Sequence, residues 1–224
     1  MNRLSTAKRT QVIAALVEGN SINATCRMLG VGKHTVLRLL EDAGCACAAF
    51  HDANVRGLRV RRLQCDEIWA FDFMQDCAER IRGRVQITTD GHKAYLEAVE
   101  GAFGMEVDYA QLQKIYGAPT DADQRRYSPA KCIGADMKVV SGNPDPKHVS
   151  TSYVERQNLT IRMAIRRFTR LTNAFSKKLD NHKAACALHF AYYNFCRIHK
   201  SLRVTPAMEA GITDHIWSLS ELLR

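Results

Sequence analysis

The stretch Val85-Gln-Ile-Thr-Thr-Asp90-Gly91 constrains this chain more than any other. Four of its first five residues are β-branched, which favours an extended strand. Asp90-Gly91 stops that strand, and the apolar spacing of residues 92–103 predicts a helix directly after it. A strand feeding a helix through a tight turn is half of a parallel crossover unit, which implies an α/β fold. Upstream, Leu63-Gln-Cys-Asp-Glu-Ile-Trp-Ala-Phe71 reads as a second strand, and residues 73–82 as a short helix. On period-two alternation Asp66 shares a face with Ile68 and Ala70, while Glu67 points the other way. An acid on an apolar face must be paired, hydrogen-bonded or metal-bound.

Parallel pairing of the two strands would make Asp66 and Asp90 neighbours at the strand ends, where α/β sheets place their sites. As a plain alternative, Asp90 serves only as a turn or helix cap. Two carboxylates 4 Å apart repel by about 4 kcal/mol at an effective dielectric of 20. A divalent cation relieves that repulsion, and oxygen-only donors select Mg2+ or Mn2+.

A third acid stands at Glu155, in the first turn of the helix predicted from Ser152. Arg162, Arg166 and Arg170 follow at helical spacing, so they share one face with Glu155, and Arg156 adjoins it. Guanidinium keeps its charge at any ordinary pH and grips phosphate as a planar fork. The same segment also fits a capping box, in which Ser152 caps the helix and Glu155 reaches back to the Ser152 amide. Such a cap stabilises by about 1 kcal/mol. Both readings of Glu155 stand at this point.

Charge is segregated along the 224 residues, whose net charge is +9. Residues 1–62 carry +6 and residues 152–205 carry +9, flanking a middle segment, residues 63–151, of −4. Basic blocks point to a polyanion partner, and an acidic middle to carboxylates reserved for a metal. Residues 4–43 read as three short helices. Small Cys26, then Leu29, Gly30 and Val31, then Val36 and Leu39 follow helix-turn-helix spacing, with Lys33, His34, Thr35 and Arg38 as the polar residues of the reading helix. Residues 45–62, small and basic, read as a linker. Residues 105–116 suit a strand, and residues 117–150 a long loop with a short strand at 138–141. A core helix is expected over 174–199 and a C-terminal tail over 212–224. No run of about 20 apolar residues or signal-like apolar segment occurs, so a cytoplasmic protein with reduced thiols is expected. Cys45-Ala-Cys47 with His51 and Cys65 is poorly spaced for a zinc knuckle.

Several stretches together resemble bacterial DDE transposases of the insertion-sequence-one family. They are Met1-Asn-Arg-Leu-Ser-Thr-Ala-Lys-Arg9, Gln64-Cys-Asp-Glu-Ile-Trp69, Thr88-Thr-Asp-Gly-His-Lys-Ala-Tyr95, Gly142-Asn-Pro-Asp-Pro-Lys-His148, Ser152-Tyr-Val-Glu-Arg-Gln-Asn158 and Tyr193-Asn-Phe-Cys-Arg-Ile-His199, with Thr205-Pro206 and Ala210-Gly211. The resemblance implies a helix-turn-helix over residues 1–44 and an RNase H-like catalytic domain over 63–211, followed by C-terminal helices. It implies Asp66, Asp90 and Glu155 as catalytic, metal-binding acids for two Mg2+ or Mn2+ ions. It implies DNA contacts through Lys33, His34, Thr35, Arg38, Arg156, Arg162, Arg166 and Arg170. The implied partners are double-stranded DNA, as terminal inverted repeats and target, and further copies of the chain on that DNA; the implied place is the bacterial nucleoid.

The chain departs from the family pattern at residues 70–72. In RNase H-like folds two more strands separate the first acid's strand from the helix leading to the second acid. Here Asp90 follows Asp66 by only 24 positions. An internal deletion of both strands is inferred, leaving strand 63–71 as a sheet edge. Two functions follow as expectations: metal-dependent cleavage and transfer of DNA ends, or a catalytically dead relic that binds or inhibits at those ends. A general RNase H-like nuclease is a third.

Overall fold

A computed structural model describes residues 4–66, 70–117, 131–169, 172–173 and 176–223. The chain is α/β, and its described residues form one four-stranded mixed sheet. It divides into two compact units, one formed by residues 57–157 and the other by residues 1–56 with 158–224.

The first unit carries the sheet. Strands β1 (Arg62–Cys65), β2 (Val85–Thr89) and β3 (Val107–Tyr116) run parallel, and β4 (Cys132–Ser141) returns antiparallel to β3. The order is β1-β2-β3-β4, so β1 is an edge. Helices α4 (Ala70–Arg80) and α5 (Ala94–Phe103) supply the two crossovers. Their apolar faces bury Met74, Tyr95, Ala98 and Val99 with Val85, Ile87, Val107 and Tyr109 of the sheet. Only Val107–Gln111 of β3 pairs with β2. Beyond Leu112 it pairs with β4 alone, as an exposed two-stranded ribbon.

Three expectations change here. The first strand ends at Cys65, and Ala70 and Phe71 already belong to α4. Asp66 is therefore exposed just past the strand rather than on an apolar strand face. Residues 67–69, expected as its continuation, lie outside the described residues. The short strand at 138–141 is the end of a ten-residue strand, because its alternate residues find hydrogen-bond partners along β3.

The motif Gly142–His148 closes this unit. Arg84 holds Asp108 in a two-pronged fork (2.9 and 2.7 Å), and the Asn143 amide donates to the same carboxylate (2.8 Å). Those contacts hold Asp108 below the usual carboxylate range. A side chain at Gly142 (φ +67°) would overlap Asp108 and the Val107 carbonyl, so only glycine fits.

The second unit is helical. Helices α1 (Thr6–Val17), α2 (Ile22–Leu29) and α3 (Lys33–Asn54) begin it. Ser5 and Ser21 cap the first two through the Lys8 and Ala24 amides, and left-handed Gly30 ends α2. Helix α6 (Ser152–Ala164) contributes its second half to this unit. Helix α7 (Leu179–Ala191) packs along α3, with short α8 (Pro206–Glu209) and α9 (Leu219–Leu222) after it. Val12, Ile13, Val36, Leu40, Ile165, Ala184 and Leu188 share one core.

The expected linker and tail are corrected in this unit. Residues 45–54 continue α3 as helix, and Cys47 is buried against the helical core. Gly44 is a packing position, since a Cβ there would overlap the backbone and Cβ of Ala184. The run Ala43-Gly-Cys-Ala-Cys-Ala48 is small because another helix passes close by, which outweighs glycine's helix cost of about 1 kcal/mol. Residues 212–223 are also docked: Trp217 lies against Phe50 and Phe195 (ring centroids 5.1 and 4.8 Å), and Ser218 with Glu221 forms a capping box. The expected helix over 174–199 is α7 followed by a π-turn at Tyr192–Cys196.

Candidate functional site

Register fixes the first two acids. Cys65 of β1 pairs with Thr89 of β2, so Asp66 and Asp90 are the next residues at the carboxyl ends of adjacent parallel strands. Both chains leave the sheet there. The Asp90 Oδ1 accepts from the His92 amide (3.1 Å), shaping the turn into α5. Beneath it, Thr89 donates to the Asp90 carbonyl (2.9 Å) and also hydrogen-bonds the Tyr109 hydroxyl (2.9 Å). Asp90 thus makes the turn contact of a plain cap while its half-exposed carboxylate stays at the strand end.

A long-range tie brings α6 to the same strand. The Gln64 Oε1 accepts from the backbone amides of Tyr153 and Val154 (2.8 and 3.2 Å), capping α6 from β1. Ser150 accepts from the Ser152 amide (3.1 Å), which occupies the donor that a capping box would need. The capping-box reading of Glu155 is therefore replaced. Its Oε1 accepts instead from Thr151 (2.8 Å) and from Lys114 of the β3–β4 ribbon. Partial burial pushes the Glu155 carboxyl up, but the Lys114 and Thr151 hydrogen bonds and the Lys114 charge outweigh it and hold it below its ordinary value. The hydrogen bond to Glu155 raises Lys114 in turn. Both side chains are partly exposed, so the pair stabilises by roughly 0.2–1 kcal/mol.

Gln64, Thr151 and Lys114 are the residues that sequence reading missed. Gln64 had a signal, for it lies two residues before Asp66, on the strand that ends just ahead of it. Lys114 had none, because its partner lies across a hairpin of undetermined reach.

The donor set fits a metal only in part. Asp66 and Asp90 are hard oxygen donors on adjoining strands, suited to Mg2+ or Mn2+. Glu155 is held by Lys114, and among the described residues no group of three or more His, Cys, Asp or Glu side chains lies close enough to hold a metal ion. Cys45, Cys47 and His51 all lie on α3 and form no such group.

The arginine face also changes. Helix α6 stops at Ala164, where Ile165 turns extended (φ −102°, ψ 104°) to bury its side chain in the helical core. Gly19 (φ +80°) abuts the Met163 and Ala164 carbonyls there, within 3.1 Å of where a Cβ would be. Arg162 lies in the last turn of α6, whereas Arg166 sits in a separate 3-10 turn, Arg166–Phe168. They do not continue one helical face. Arg156 is exposed on α6, and Arg170 lies outside the described residues. On α3, Lys33, His34, Thr35 and Arg38 occupy the first two turns, and all four are exposed.

No family model, curated protein or solved structure matches this chain. No helix among the described residues is long and apolar enough to cross a membrane.

Proposed function

We propose that the chain descends from a DDE transposase of the insertion-sequence-one family and acts on the ends of a DNA element. The observation that carries this reading is the β1–β2 register, which supports Asp66 and Asp90 as adjacent carboxylates at parallel strand ends. A sheet of three parallel strands with a strand-end acid pair suits an RNase H-like domain lacking two strands before α4, and edge strand β1 agrees with that loss. Helices α1 to α3, with side-chain caps on the first two and left-handed Gly30 between the second and third, suit a helix-turn-helix whose third helix presents Lys33, His34, Thr35 and Arg38 to duplex DNA.

In this reading Asp66 and Asp90 hold a divalent cation, whose chemistry is activation of water or a 3′-hydroxyl for phosphoryl transfer. Gln64 and Thr151 position the start of α6, and Glu155 joins the acids once Lys114 releases it. Arg156 binds phosphate beside them, and Arg162 is a phosphate contact of the helical unit. Further copies of the chain on the DNA would pair two ends.

The second reading is a non-catalytic binder of element ends, and the Lys114–Glu155 pair favours it. Strand cleavage of end-bearing duplex with Mg2+ or Mn2+, lost in Asp90→Asn, supports the enzyme. End-selective binding without metal-dependent cleavage supports the binder. Binding without end selectivity, or metal-dependent cutting without it, contradicts both.

A further inference from the structure

An arginine cluster lies at the opposite end of the parallel strands from Asp66 and Asp90. Arg59, Val60, Arg61, Arg82, Gly83 and Arg84 line one shallow, open depression just before β1 and β2. Two segments of backbone hold it in shape. The Leu58 amide donates to the Arg80 carbonyl and the Arg82 amide to the Leu58 carbonyl (2.8 Å each), and the Gln86 amide donates to the Arg61 carbonyl (3.1 Å). Leu58 bridges Ile81, but Arg62 pairs with Gln86, so the second segment carries one extra residue between the two points. Left-handed Gly83 (φ +84°) lies in that irregular stretch. Gly57 (φ +68°) leaves room on the other side, since the Arg82 Nε lies 3.2 Å from where a Cβ would stand.

Within the cluster, and among the described residues, only Arg84 has an acid, the forked Asp108. Among the described residues Arg59, Arg61 and Arg82 make no salt bridge. Guanidinium cannot discharge by losing its proton, so three of them fixed together by backbone call for an external anion. The depression is open rather than enclosed. A small anion would need an enclosing pocket, whereas a phosphodiester backbone needs only a row of cations to run across. Strand β1 spans four residues, about 13 Å at 3.3 Å per residue, so one phosphate cannot serve both ends of the sheet.

We infer that Arg59, Arg61 and Arg82 form a second, sequence-independent contact for the sugar-phosphate backbone of duplex DNA. It is separate from the strand-end acids. This site rests on the proposed reading only in taking DNA as the ligand.

The test uses the full chain and a 25-base-pair duplex of arbitrary sequence, with anisotropy titrations over a range of NaCl concentrations. The Arg59→Gln/Arg61→Gln/Arg82→Gln variant should bind more than about tenfold more weakly at low salt. Its log K against log salt slope should shrink by about 2–3, at about 0.9 per lost phosphate contact. A variant with lysine at all three positions should keep most of the slope. If the triple variant does not melt cooperatively, Arg59→Gln/Arg61→Gln decides, with an expected loss of about 1–2 in slope. An unchanged slope in a folded variant overturns the inference, as does preferential binding to anionic vesicles or saturation by inorganic phosphate. Failure of end selectivity or cleavage bears on the transposase reading alone, because this duplex carries no element end.

Discussion

The two units of this chain are built on opposite terms. In the unit of residues 57–157 the essential contacts are polar and directional: a strand register, a glutamine that caps a helix, a fork on Asp108 and a lysine on Glu155. In the helical unit they are contacts of shape: a glycine against an alanine, a glycine against two carbonyls, and buried His189, which among the described residues has no hydrogen-bond partner at either ring nitrogen. Directional contacts hold groups at fixed positions, as chemistry requires. Close packing gives stability and tolerates little change in volume. Substitutions should therefore separate the units, with large stability losses in one and small losses joined to site effects in the other.

The largest effect is expected at Gly44. Gly44→Val drives a branched side chain into the backbone of Ala184, and an overpacked core of this kind loses about 3 kcal/mol. Chemical denaturation should show that loss as a lower midpoint. A variant as stable as the parent would remove the α3–α7 close approach from the account.

His189 gives a comparable effect that pH reveals. It is buried, and burial followed by the Arg197 charge pushes it down to about 4 from 6.5. Between those values the unfolded chain binds more protons than the folded one, so stability falls as pH drops from about 6.5 to about 4 and then levels off. The full window amounts to about 3 kcal/mol at 1.36 kcal/mol per pH unit. His189→Leu should flatten this part of the stability profile. Persistence of the same slope in that variant would assign it to other groups.

These two positions also show where sequence reading stopped. The Asp90 turn was legible because strand, stop and helix are consecutive, and Asp66 was legible through the neighbouring strand. The Gly44 region looked like a linker because its small residues answer to Ala184, which is far along the chain. Sequence periodicity records a residue's own helix, not which distant helix will cross it. The same applies to Gln64 and Lys114, whose partners lie 89 to 90 and 41 positions away. The extent of the arginine face was overread because helical spacing continues past Ala164, while burial of Ile165 ends the helix.

Smaller effects sharpen the polar side of the comparison. Gln64→Leu leaves the Tyr153 and Val154 amides without their acceptor, at a cost of about 1–2 kcal/mol. Hydrogen exchange should then accelerate at the start of α6 and leave β2 protected. Uniform acceleration would mean that Gln64 supports the whole unit instead. Lys114→Met should change stability by less than about 1 kcal/mol. Glu155 titrates below its ordinary value, so its contribution is present above the ordinary glutamate range and is lost as pH falls through the lowered value. Lys114→Met should raise the Glu155 carboxyl toward its ordinary range, as read by carboxylate NMR. An unmoved titration would show that Thr151 alone sets it.

The adjacency of Asp66 and Asp90 is the central claim, and metal binding tests it most directly. Purified chain, Asp66→Asn and Asp90→Asn are titrated with Mg2+ and Mn2+ by calorimetry, beside thermal melts. The account predicts saturable binding that raises the parent's melting point and is abolished by either substitution. A melt indifferent to metal in the parent, or binding that survives both substitutions, would contradict it.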